Sequence, residues 1–127
     1  MANKRMDESL GNVGYDNLFV ENVPEADVVV VKLAASQGVL ARGTVVSGTP
    51  GGEDFAALAA AAEAAKALYV LADEVDTGSS GAVVGIAYRT GHFNRNALIV
   101  GNEYALTAAD EEILRGKGVL VSDALDY

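Results

Sequence analysis

The chain has 127 residues, 50% of them hydrophobic, and a net charge of −9, with no cysteine and one histidine. That length suits a single domain with a buried core and argues against a wholly disordered chain. The acidic balance excludes a surface built for phosphate backbones or anionic lipid, and the missing thiols exclude disulfides, cysteine nucleophiles and cysteine metal sites.

Residues 1–22 are mixed, polar and rich in Asn, Asp and Gly. Lys4 and Arg5 are followed by no apolar core, so no signal peptide is expected. Apolar runs elsewhere are far too short to span a bilayer. One apolar island interrupts the section, Leu18-Phe19-Val20, with Tyr15 just before it. Two readings are open. Either the island packs back on the domain, or it belongs to an arm that orders on a partner by adding a strand to its sheet. The organisation expected is an arm over 1–26 and one β-rich domain over 27–127.

Val28 to Leu33 is a β-branched run, which predicts a strand buried on both faces. Gln37-Gly38 turns the chain, and Val39 to Val46 reads as a second strand with a bulge or bend at Gly43. Arg42 is expected to face solvent or form a salt bridge. After the loop Thr49-Pro50-Gly51-Gly52, the alanine-rich segment Glu53 to Ala67 has helical propensity. Asp54 would cap that helix, and Phe55, Leu58, Ala59 and Ala62 would share one face.

The stretch from Leu68 to Ala109 organises the rest. Leu68 to Ala72 suits a half-buried strand. Asp73, Glu74 and Asp76 end the burial, and Gly78-Ser79-Ser80-Gly81 makes a bend. From Gly81 to Arg89 the chain is β-prone again. Ala82, Val84, Ile86 and Tyr88 fall on one face, and Val83, Gly85, Ala87 and Arg89 on the other. The small residues of the second face permit close approach of another sheet. Leu98-Ile99-Val100 is a short apolar run. Thr107 with Asp110 has the capping-box pattern and predicts a two-turn helix, with Gly116 and Gly118 suited to a left-handed cap. Val119 to Val121 reads as the last strand.

Candidates for chemistry are few. His92 follows Gly91 in a turn; a single histidine cannot make a two-histidine metal site, and Ser79 and Ser80 lie in a flexible bend rather than a strained elbow. The acidic group Asp73, Glu74 and Asp76 lacks calcium-loop spacing and reads as a solvated turn. The glycine-rich loops lack the lysine-serine ending of a phosphate loop. The residues therefore describe a small acidic β-rich domain with no catalytic, cofactor-binding or metal-binding set.

Several segments, taken in order, resemble the phage head decoration proteins of the lambda type. They are Gly43-Thr44-Val45-Val46, Leu68-Tyr69-Val70-Leu71-Ala72-Asp73-Glu74-Val75-Asp76, Ala82-Val83-Val84-Gly85, Gly91-His92-Phe93-Asn94-Arg95-Asn96-Ala97-Leu98 and Leu114-Arg115-Gly116-Lys117-Gly118-Val119-Leu120-Val121. The resemblance implies a mainly β fold, a small barrel or tulip-like domain with one or two short helices and an extended N-terminal arm. It implies a non-enzymatic, cofactor-free structural protein, made in the host cytoplasm and placed on the outer capsid surface of the virion. Its partners would be the major capsid protein and itself, as a homotrimer at three-fold sites bracing the shell against DNA pressure, with neither nucleic acid nor membrane bound. The arm contact would fall on Tyr15, Leu18, Phe19 and Val20. The alanine-rich segment looks more helical than that pattern expects. Two other functions stay open on the residues alone: a free-standing acidic β-rich module binding a peptide or small ligand, and a small hydrolase or isomerase using His92 with an acidic partner.

Overall fold

The computed structural model describes residues 18–21, 25–101 and 104–122. Its elements, in chain order, are β1 (Phe19–Glu21), β2 (Asp27–Leu33), β3 (Val39–Leu40), β4 (Val45–Gly48), β5 (Ala56–Ala57), β6 (Ala67–Leu71), β7 (Val75–Asp76), β8 (Val83–Asn94), a 3₁₀ turn (Arg95–Ala97), α1 (Ala108–Gly116) and β9 (Val119–Ser122). The fold is mainly β. One sheet runs β1-β8-β6-β4-β5, with β2 and β9 also paired to β8, and β3 pairs with β7 apart from it. Among the described residues that path stays open, so the expected barrel is corrected to an open sheet, and of the one or two short helices expected there is one α-helix.

Strand β8 is the spine because its twelve residues serve two sets of neighbours. Its first half lies antiparallel to β2 and touches β6 at Val70↔Tyr88 and Leu71↔Ala87. Its second half pairs with β1 and, in parallel, with β9. Between the halves the register to β2 slips, Val28 opposing Tyr88 and Asp27 opposing Thr90. Such a bulge bends a strand, letting one chain join two half-sheets. The expected alternation holds along this strand: Gly85 and Ala87 are buried, while Val84 and Ile86 face out.

Two buried clusters lie on opposite faces of β4 and β6. The first gathers Leu18, Val45, Leu58, Ala62, Leu68, Val70, Phe93, Leu114 and Val119. The second gathers Val31, Leu33, Leu40, Val46, Phe55, Ala67, Leu71, Val75 and Ala87. Adjacent residues such as Val45 and Val46 thus enter different clusters, as a pleated strand requires. Two-faced burial, expected of Val28–Leu33, belongs instead to β6. β2, which pairs with β8 along its length and bridges Phe55 at Leu33, alternates between outward and inward side chains because only its Val31 and Leu33 side packs into the second cluster.

The expected strand Val39–Val46 is two strands. Gly43 turns the chain between them at φ +96, where an added Cβ would lie 2.9 Å from the Ala97 carbonyl oxygen. The expected helix over Glu53–Ala67 does not form. Tertiary partners take the backbone groups a helix would use: the Leu58 amide donates to Val45 O at 2.8 Å, Leu58 O accepts from the Gly101 amide at 2.8 Å, and the Ala62 amide donates to Asp110 Oδ1 at 2.8 Å. Phe55 and Leu58, predicted on one helical face, enter different clusters. Asp54 closes the preceding loop, accepting from the amide and hydroxyl of Thr49. Those two bonds hold its carboxyl below the usual value.

Helix α1 matches its sequence signals. Thr107 and Asp110 form the reciprocal capping box, and Leu114 is fully buried. Gly118, at φ +93, follows the helix and leads into β9, while Gly116 is its last residue.

Candidate functional site

The N-terminal island is built on aromatic packing. Leu18 is 3% exposed within the first cluster, and Phe19 opposes Phe93 in the β1–β8 pair. The Phe19 ring lies 4.9 Å from both the Tyr88 and the Phe93 ring centroids. Gly91 makes this possible, since a Cβ there would meet the Phe93 ring at 2.9 Å and the Phe19 ring at 3.1 Å. Val20 is half-buried, and Tyr15 lies outside the described residues. Arg42, expected to face solvent or form a salt bridge, is half-buried. Its guanidinium donates to Ala72 O and to the Tyr88 hydroxyl, both at 3.0 Å, and stands over the Tyr88 ring.

His92 Nε2 is hydrogen-bonded to Ser122 Oγ at 2.7 Å, which joins β9 to β8. Ser79 and Ser80 are in an exposed bend remote from it in sequence. Among the described residues no three His, Asp or Glu side chains come together as metal ligands. The acidic turn is exposed at Asp73, Glu74 and Asp76, and the Asp76 carboxylate accepts from the Gly78 amide at 3.1 Å.

Asp110 is the one carboxylate drawn into the interior, at 2% exposed among the described residues. Burial opposes its charge. Hydrogen bonds from the Tyr104 hydroxyl, the Ala62 amide and Thr107 outweigh that and hold its carboxyl below the ordinary value. The same bond to Asp110 pushes the Tyr104 phenol up. The group is fully satisfied and internal, so it holds the fold rather than a ligand.

The outward side of β2 and β8 is different. Val28, Val30, Val84 and Ile86 are 55, 64, 61 and 43% exposed, and the register places Val30 opposite Ile86 and Val84 opposite Lys32. Four β-branched side chains therefore share one wet sheet face. The ion pairs Arg89–Asp27 and Lys32–Glu53 flank it. Apolar area gathered in this way marks contact surfaces, and an edge strand beside it offers backbone groups for pairing. This face is hidden in the sequence, where the unbroken valines of Val28–Leu33 predict burial on both sides. The usable signal was Lys32, which falls in phase with Val28 and Val30 and marks their side as outward.

A core divided by a doubly buried sheet, an aromatic-rooted N-terminal strand and an outward aliphatic face describe a structural β protein that acts through its surfaces. The chain belongs to the bacteriophage lambda head decoration protein D family, whose model matches residues 10–119. No curated relative matches it. The family is structural rather than enzymatic, which identifies the protein as a phage head decoration protein of the virion capsid.

Proposed function

We propose that this protein binds the outer surface of the expanded phage head, with the major capsid protein as its partner. In this reading it does so as homotrimers at three-fold sites and stabilises the shell against DNA pressure. The observation that carries the reading beyond the family is the outward face of Val28, Val30, Val84 and Ile86, which a second protein surface would cover. Weak contacts of this kind gain strength when each copy engages several subunits at once.

Residues 1–26 serve in this proposal as the arm. Leu18 and Phe19 root it on β8, and Tyr15 and Val20 continue toward a capsid strand added edge to edge. The rest of the chain, 27–127, forms the body. Mixing the purified protein with undecorated expanded heads tests the reading. Wild type should decorate them in clusters of three and raise their resistance to heat. Deleting residues 1–17 keeps Leu18 in the core, so it should abolish decoration with little change in the melting of the free protein. Full decoration by that deletion would remove the arm from the mechanism, and heads left bare by wild type would end the proposal.

A further inference from the structure

The corner Arg42-Gly43, between β3 and β4, reaches the root of the N-terminal arm through both of its residues. Gly43 does so by lacking a side chain: a Cβ there would lie 3.3 Å from Cδ1 of Leu18, the arm residue buried in the first cluster. Arg42 does so through Tyr88. Its guanidinium donates from Nη2 to the Tyr88 hydroxyl and from Nε to Ala72 O, and its Cζ lies 5.8 Å from the Tyr88 ring centroid. The Tyr88 ring in turn meets the Phe19 ring edge-on, with centroids 4.9 Å apart. The corner itself is fixed, since the Gly43 amide donates to Leu71 O at 2.9 Å and Gly43 O accepts from the Ile99 amide at 3.0 Å. The Arg42 side chain therefore leaves from a set point. Its planar fork of donors holds two acceptors at once, a geometry that a lysine ammonium does not reproduce.

Tyr88 also borders the outward aliphatic face. It follows Val84 and Ile86 on one side of β8 and directly opposes Val28 of β2. Ala72, the second acceptor of Arg42, donates its amide to Ile86 O at 2.9 Å. One guanidinium is thus bonded both to the ring that seats Phe19 and to the residue that pins Ile86.

We propose that Arg42 is a positioning residue for head binding: it holds Tyr88 so that the Leu18–Phe19 root of the arm and the face of Val28, Val30, Val84 and Ile86 are presented to the capsid as one surface. The inference rests on the arm reading above and names what sets its strength. Two linked contacts reinforce each other only when the second is held within reach of its site once the first has formed. A root that swings loose must be ordered again at every binding event, and that ordering is subtracted from the affinity.

Amide exchange and decoration, both on the full chain, test it together. The Asn94 amide donates to Leu18 O at 2.7 Å, so its exchange reports the docking of the root, while the Ala62 amide, bonded to Asp110 Oδ1, reports the body. Arg42→Lys keeps the charge and Tyr88→Phe keeps the ring, and each breaks the link between them. Each should speed exchange at Asn94 about tenfold and leave Ala62 unchanged. Each should raise the protein concentration that half-decorates expanded heads by a similar factor. The double variant should be no worse than Arg42→Lys alone, because both substitutions break one link. Asn94 exchange equal to wild type in both variants, Asn94 and Ala62 speeding together, or additive losses in the double variant would each overturn the positioning role. So would a loosened Asn94 with undiminished decoration while deletion of residues 1–17 leaves heads bare, a result that keeps the arm and removes Arg42 from it. Full decoration by that deletion would instead end the arm reading and this inference with it.

Discussion

Asp110 of α1 accepts a hydrogen bond from the Ala62 amide, 2.8 Å away, and through the same carboxylate caps its own helix. One side chain thus fixes both α1 and the alanine-rich loop. Asp110→Ala removes the cap and leaves the buried Ala62 N–H without its acceptor. The expected loss is about 3 kcal/mol, from the cap together with an unsatisfied buried donor. Urea denaturation measures it, and a loss under about 0.5 kcal/mol would show that the loop finds another anchor.

The same carboxylate sets a pH dependence. Its folded value lies below the ordinary one, so the unfolded chain takes up the proton first as pH falls. Its contribution is complete above the unfolded value, about 4, and is lost as pH drops through the folded value. Wild type should therefore lose stability more steeply than Asp110→Asn below about pH 4. Parallel curves for the two proteins, measured by thermal melting across that range, would refute the assignment.

Gly43 turns the chain between β3 and β4 and also bonds on both sides, its amide to Leu71 O and its carbonyl to the Ile99 amide. With φ at +96, and Ala97 O only 2.9 Å from where a Cβ would sit, Gly43→Ala has neither conformational nor steric room. The expected cost is about 2–3 kcal/mol, read as a lowered denaturation midpoint with unchanged slope. A neutral result would place the turn elsewhere.

What could be read from the residues followed from local chemistry. Thr107 and Asp110 mark a helix start because cap and carboxylate are three residues apart, and the helix begins there. Val84 and Ile86 separated correctly from Gly85 and Ala87 because a strand alternates whatever surrounds it. The alanine-rich segment failed because its fate is decided by partners distant in sequence, Val45, Gly101 and Asp110, that claim its backbone. Alanine contributes propensity of well under 1 kcal/mol per residue, which such contacts override. β2 failed similarly: four consecutive valines show that a strand forms, but only its place beside β8 shows which of them stay wet. The aliphatic face, as a candidate site, was for that reason hidden.

Gln37, which the sequence marks only as part of a turn, clamps two separate stretches of backbone. Its amide nitrogen donates to Ala34 O and Phe55 O, at 2.7 and 3.0 Å, and its oxygen accepts from the Ala57 amide at 3.0 Å. Gln37→Ala should cost about 2 kcal/mol, because partly buried backbone groups lose their partners. Amide exchange gives the sharper check: Ala57 should lose protection while Val70, in the centre of the sheet, keeps it. Equal protection at Ala57 in both proteins would mean that β5 holds by its pairing with β4 alone.

Val30 and Val31 are neighbours with opposite surroundings, 64% and 3% exposed. Valine to threonine keeps the shape and adds a hydroxyl, so the two substitutions compare environment alone. Val31→Thr buries that hydroxyl among Leu33, Val46 and Ala87 and should cost about 2 kcal/mol. Val30→Thr meets water and should change the free protein by less than about 0.5 kcal/mol. On heads the order should reverse in importance: Val30→Asp, which places a charge on the outward face, should reduce decoration strongly, although the isolated domain melts as wild type does. A Val30→Asp protein that decorates fully would assign that face to solvent and shift the capsid contact to another surface of the body or to the arm.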